Sequence, residues 1–254
     1  MIRAVIFDLG HTLWDFNFDE NHELLTSAYV DFHRALCDRM QRDDMPEAAA
    51  IQAAVRDALF ADAPTYFADG PELSQPPSHT WVDRGCRAVG LAIDDALLRE
   101  LTPPLFATER DRLICQDGTL EALRDLDRRG YALGCVTNTL ADTPAIRDML
   151  RVQEFEPLMR SVVVSADEGW RKPHPALFQK ALSELDVAPH HALFVGDSPY
   201  HDIGGAKAVG MHAALTQQYI ARPYDAFEPP PDAIIQHLRE LHGVIKRLDA
   251  KSAA

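Results

Sequence analysis

Five short apolar runs, each followed at once by polar residues or glycine, punctuate the chain: Ala4–Phe7, Ala132–Val136, Val162–Val164, Ala192–Val195 and Ala213–Leu215. Runs this short and this uniformly apolar suit strands buried on both faces of a parallel sheet. Helical spacing fills the intervals between the later ones. Leu120, Leu123 and Leu126 recur every third residue, Thr143-Pro144 reads as an N-cap followed by proline at the first helical position, and His174-Pro175 opens a helix in the same way. Asp232–Leu248 carries Ile235, Leu238, Leu241 and Ile245 at helical spacing and reads as a terminal helix after the Pro229-Pro230-Pro231 connector. Strands alternating with helices predict an α/β core, a Rossmann-like parallel sheet covered on both faces.

One interval breaks the alternation. From about Asp15 to about Thr108 the pattern is helical, through Leu24–Met40, Pro46–Phe60, Thr80–Val89 and Asp94–Leu101, with no convincing strand. An all-helical block directly after the first strand reads as a domain inserted into the core. The expected division is therefore 1–14 and 109–254 for the core and 15–108 for the insert.

Composition narrows the possibilities by exclusion. A formal net charge of −14 argues against a nucleic-acid backbone as partner, which needs clustered Lys and Arg. No stretch approaches the roughly 20 apolar residues that span a bilayer. The N-terminus runs straight into a strand pattern without a secretory leader, so a cytoplasmic protein is expected, as monomer or homodimer. Cys37, Cys86, Cys115 and Cys135 lie far apart with no CxxC spacing and are expected to be reduced thiols. His190-His191 after Pro189 reads as a turn, and no metalloprotease-like His spacing occurs.

In an open α/β sheet, ligands bind beyond the carboxyl ends of the strands, where strand order reverses. The residues at those ends are therefore the candidates for chemistry. Asp8-Leu9-Gly10-His11-Thr12 follows the first strand and Thr137-Asn138-Thr139 the second; the third leads to Arg171-Lys172-Pro173; Gly196-Asp197-Ser198 follows the fourth, with Asp202 five residues beyond Asp197. Three carboxylates, a lysine and a hydroxyl thus meet at one edge. Carboxylates that close repel one another unless a cation compensates them. Hard oxygen donors with few imidazole or thiolate neighbours favour Mg2+.

These four segments resemble the four motifs of the haloacid dehalogenase (HAD) superfamily. Phe7-Asp8-Leu9-Gly10-His11-Thr12-Leu13 resembles the first, FDxDGTL, and Cys135-Val136-Thr137-Asn138 the second. Lys172 in Gly169-Trp170-Arg171-Lys172-Pro173-His174-Pro175 resembles the third, and Val195-Gly196-Asp197-Ser198-Pro199-Tyr200-His201-Asp202 the fourth. The helical block falls where the family carries its C1-type cap. The resemblance implies a phosphatase-like hydrolase acting on a small anionic phosphomonoester through an aspartyl-phosphate on Asp8. It implies Thr137, Asn138, Lys172 and the backbone at Leu9 and Gly10 as substrate contacts. Asp8, Gly10 (through its carbonyl), Asp197 and Asp202 are the implied magnesium ligands.

One feature departs from the phosphatase pattern. Gly10 stands where most family phosphatases carry a second Asp, the general acid. His11, Asp15, a cap residue or a substrate with a good leaving group are the candidate replacements. L-2-haloacid dehalogenases also lack that Asp and displace halide with the same nucleophile, so a dehalogenase is the alternative function, beside a weakly active regulatory protein. Phosphonoacetaldehyde hydrolases need a cap lysine, and no lysine precedes Lys172. The alternation Trp14, Phe16, Phe18 reads as packing between core and cap or as a flap over the site. Arg34, Arg56, Arg84 and Arg87 are cap cations without a pattern that selects one.

Overall fold

The computed structural model describes residues 1–16, 26–42, 44–66, 73–106, 110, 112–224 and 228–252. Phe18 and Leu24 lie outside them. A six-stranded parallel sheet forms the centre, built from β1 (Ala4–Phe7), β4 (Ala132–Thr137), β5 (Met159–Val164), β6 (Ala192–Gly196), β7 (His212–Thr216) and β8 (Ala233–Ile235), in the order β5-β4-β1-β6-β7-β8. The chain adds strands on one side of β1 and then returns to add them on the other. β1, β4 and β6 therefore bracket the point where strand order reverses.

The alternation within β1 shows why its short run is wholly apolar. Val5 and Phe7 join one apolar cluster with Leu123, Ile146, Met149 and Ile245, while Ala4 and Ile6 join a second with Leu177, Phe178, Phe194 and Ile203. Helices α6 (Thr119–Arg128), α7 (Thr143–Val152) and α11 (Leu241–Ser252) cover the first face, and α9 (Pro175–Glu184) and α10 (Gly205–Ala208) the second. Each large apolar side chain buried in this way contributes roughly 1.5–3 kcal/mol relative to exposure.

Between β1 and β4 lie α1 (Ser27–Met40), α2 (Ala48–Tyr66), α3 (His79–Ala88), α4 (Asp95–Leu101) and α5 (Pro103–Phe106). Tyr29, Phe32, Leu36, Ile51, Val55, Val82, Leu91 and Leu98 form an apolar core of their own, separate from the two on the sheet. The Cβ that a side chain at Gly85 would need falls 2.5 Å from the Val55 backbone, so glycine permits the close α2–α3 approach. A short contact ties this block to the sheet edge. Gln75 N donates to Gly169 O at 2.9 Å, Arg171 N to Leu73 O at 2.9 Å, and the Gln75 amide to Thr139 O at 2.7 Å. No helix among the described residues is long and apolar enough to cross a membrane.

Three local expectations change. Ala233–Ile235 is a strand, not the start of a helix: Ala233, Ile234 and Ile235 find the open edge of β7. A capping box at His237 and Glu240 then starts the helical segment that runs into α11. Asp142, not Thr143, caps α7, accepting from Ala145 N at 3.0 Å, while Thr143 turns to Asp167. The helical interval also begins with a two-residue strand, β2 (Asp15–Phe16), antiparallel to β3 (Leu113–Ile114). Two residues are too few to show a period in sequence.

All four cysteines are free thiols. Burial pushes Cys86 and Cys135 up to about 12 and Cys115 up to about 11, which keeps them protonated and unreactive at neutral pH. Titration of the native protein with a disulfide reagent at pH 8 should therefore label Cys37 rapidly and the other three only after unfolding. Rapid labelling of two or more thiols would contradict this packing.

Candidate active site

The carboxyl ends of β1, β4 and β6 open on a cleft of about 750 Å3. Asp8 leaves β1 with its N–H still donating to Val195 O at 2.9 Å, so the sheet register fixes where its carboxylate emerges. The chain then turns tightly: Leu9 O accepts from the amides of Thr12, Leu13 and Trp14, and His11 takes a left-handed backbone at φ 55°. Gly10 and His11 line the cleft, and His11 Nδ1 lies 3.0 Å from Asp15 Oδ1. Trp14 is packing, buried and stacked on Phe155 at 6.3 Å, whereas Phe16 reaches the cleft wall.

β4 ends at Thr137, which is buried at the cleft floor. Asn138 follows, and its amide is taken up by main chain: Oδ1 accepts from Lys172 N at 2.7 Å and Nδ2 donates to Lys172 O at 3.3 Å. This double bond to one residue aims Lys172 at the cleft. Its ammonium donates to Asp8 Oδ1 at 2.6 Å and to Asp202 Oδ1 at 2.7 Å and is only 3% exposed. Asp202 is held in turn by Ser198 N, at 2.9 Å from Oδ2. A Cβ at Gly196 would lie 2.3 Å from that same Oδ2, so only glycine lets β6 pass this close.

Asp197, next after Gly196, is also buried, and its Oδ2 accepts from Arg222 Nε at 2.6 Å. Oxygen atoms of Asp8, Asp197 and Asp202 all lie within 4.8 Å of one another. Among the described residues, Lys172 contacts Asp8 and Asp202, and Arg222 contacts Asp197. Burial, against the pull of Lys172 and with Asp202 and Asp197 adding to it, raises Asp8 to about 7; burial and Asp202 raise Asp197 as well. Lys172 moves the other way for a lysine in so dry a place: burial works against its charge, but Asp202 and Asp8 outweigh it and hold it above the usual range. The cluster is short of positive charge, and its donors are all hard oxygens, which fits a small divalent cation.

The geometry thus brings together Asp8, Gly10, Thr137, Asn138, Lys172, Asp197 and Asp202, with Leu9 buried in the same turn. Arg171, beside Lys172, lines the cleft as well, and so does Arg222, which was not foreseen. Arg222 follows β7, so the rule that found the other residues at strand ends would have led to it had it been applied to the fifth run. Arg34, Arg84 and Arg87 pair with Asp31, Asp62 and Asp83 at 2.8–2.9 Å, and Arg56 lies 3.5 Å from Asp57. None of the four lines the cleft.

Residues 2–210 match the haloacid dehalogenase-like hydrolase family, and the chain belongs to it. It is a hydrolase of that superfamily. The chain is 33% identical over 138 residues to pyrophosphatase PpaX of Bacillus pumilus, covering 54% of this chain and 62% of that one. It is 30% identical over 193 residues to a glyceraldehyde 3-phosphate phosphatase of Pyrococcus abyssi, covering 74% and 79%. The chain spans 54–62% of the length of several of its curated relatives, that pyrophosphatase among them. Among solved structures, a 2-haloacid dehalogenase from Pseudomonas syringae is similar over 97% of this chain and 99% of that one, at 25% identity and a TM-score of 0.62.

Proposed function

We propose that this hydrolase cleaves a small phosphomonoester, with Asp8 as nucleophile and Mg2+ held by Asp8, Asp197, Asp202 and the Gly10 carbonyl. One observation carries the reading: Asp8 and Asp202 share the Lys172 ammonium while the Asp197 carboxylate stands within 4.8 Å of both. The phosphatase names among the relatives favour phosphate over halide. Residues 15–108 act as the cap over a core of 1–14 and 109–254.

When bound, the metal supplies positive charge that neutralises the acids and the substrate phosphoryl group. An ionised Asp8 oxygen attacks phosphorus, the bond to the leaving oxygen breaks, and an aspartyl-phosphate forms; water then splits it, releasing phosphate and restoring Asp8. Lys172 holds Asp8 in place and offsets the charge shared between it and the phosphoryl oxygens. Thr137 and the amides of Leu9 and Gly10 receive those oxygens. Asn138 acts by positioning Lys172, since its own amide is bonded to that residue's main chain.

The test is a panel of sugar, acyl and aryl phosphates plus 2-haloacids, each assayed with and without magnesium. Magnesium-dependent phosphate release is expected. Asp197→Ala should raise the magnesium requirement at least about tenfold or abolish turnover, because it removes a hard ligand; wild-type turnover untouched by chelator would remove both assignments. A second reading has its own support in Gly10, which offers no acid, and in the similarity to a 2-haloacid dehalogenase. On that reading Asp8 displaces halide, and halide release indifferent to chelator would establish it. Magnesium binding without any turnover would point instead to a regulatory protein.

A further inference from the structure

Asp197 is compensated by a different kind of cation from its neighbours. The Lys172 ammonium lies between Asp8 and Asp202 and is 3% exposed, so it has nowhere to go. Arg222 holds Asp197 from the open side of the cleft, with its side chain 41% exposed. The loop beneath it is anchored. The Tyr219 hydroxyl donates to Leu13 O at 3.1 Å and accepts from Gln116 N at 2.8 Å, and the buried Gln218 bonds Thr119 and the Leu238 amide. With Gln218 and Tyr219 held, the partly exposed guanidinium can leave the carboxylate by side-chain rotation.

We propose that Arg222 is a displaceable internal cation: it occupies Asp197 in the metal-free protein, yields that carboxylate to a divalent ion, and then presents its guanidinium to the anionic substrate. The inference rests on the metal site proposed above. Three arguments lead to it. Asp197 accepts from Arg222 on Oδ2, while Lys172 is committed to the other two acids. A buried carboxylate beside two others needs a cation whether or not a metal is present. Arg222 and Pro223 already form part of the cleft wall, so a released guanidinium faces whatever enters. A planar fork that can pair with phosphate or carboxylate oxygens suits that second task. Metal and anion would then favour one another's binding.

Displacement lowers apparent metal affinity by the fraction of protein in which Asp197 is free. Magnesium alone, titrated calorimetrically into metal-free protein, should bind Arg222→Met about three- to tenfold more tightly than wild type. At saturating magnesium, inorganic phosphate should bind the same variant several-fold more weakly. The proposal requires both shifts, in opposite directions. Unchanged or weaker magnesium binding overturns it, and so does tighter magnesium binding with unchanged phosphate affinity. Magnesium binding to the variant but not to wild type supports displacement and removes the magnesium reading of the native enzyme. Binding to neither removes both. A thermal melt checks the fold, and if Arg222→Met does not fold, Arg222→Lys carries the test, with both shifts in the same directions and smaller.

Discussion

Asp8→Asn is expected to reduce turnover at least a thousandfold and, in the metal-free protein at neutral pH, to raise stability. The first effect follows from chemistry: an amide cannot displace the leaving group, and the neighbouring carboxylates, Asp197 and Asp202, are assigned to the metal in this reading. The second follows from the electrostatics that make Asp8 useful. Its carboxyl is raised from 3.8 to about 7 by burial and by its two acidic neighbours. The folded protein therefore binds a proton that the unfolded chain has released between those values, and folding becomes less favourable as pH rises through that window. Asparagine carries no such charge. The stability gain of the variant should be small near pH 4 and grow towards pH 8, reaching on the order of 1–3 kcal/mol. Phosphate release and thermal melts across that range check both parts. Activity within tenfold of wild type would remove Asp8 from its role, and a stability gain independent of pH would mean that its charge is compensated by other groups.

Much of this site was legible because each of its acids and its lysine follows a strand or stands a few residues beyond one. Asp8, Thr137 and Asp197 sit directly at the carboxyl ends of β1, β4 and β6, where an apolar run stops abruptly and marks the spot. Lys172 was legible through its sequence neighbourhood. What could not be read was which group each side chain would choose. Asn138, expected as a substrate contact, also bonds the Lys172 main chain through its side-chain amide, a matter of how two loops meet. Arg222 lies 25 positions from Asp197 in a segment with no period, and only the sheet brings them to 2.6 Å. The edge strand Ala233–Ile235 failed for a related reason. Three apolar residues preceding a helix continue its spacing by chance, and only the free edge of β7 decides otherwise.

Gly10→Asp should supply the carboxyl that the resemblance to the phosphatases implies for this position. With no carboxyl at position 10, the wild-type enzyme is expected to turn over aryl and acyl phosphates much faster than alkyl phosphates, because only the alkoxide needs a proton as it leaves. The variant should raise alkyl phosphate hydrolysis by about tenfold or more while changing aryl phosphates little, against a general-acid contribution typically worth about 10²–10⁴ in rate. A glycine at a turn raises the concern that its backbone is left-handed and would strain any side chain. Here the left-handed residue is the next one, His11, at φ 55°, and Gly10 itself is not among the positive-φ positions. Among the described residues, a Cβ on Gly10 would meet only the Phe16 ring edge, at 3.8 Å, an ordinary contact. The side chain has room, and circular dichroism of the variant should match wild type. If wild type already cleaves alkyl phosphates well and the folded variant gains nothing, a proton donor is present elsewhere. His11, lining the cleft with Nδ1 3.0 Å from Asp15, is then the first to replace by alanine, followed by Asp15. A loss confined to alkyl phosphates identifies the donor. Rates indifferent to the leaving group in every variant would mean that protonation does not limit turnover, and that the missing carboxylate at position 10 is without kinetic consequence.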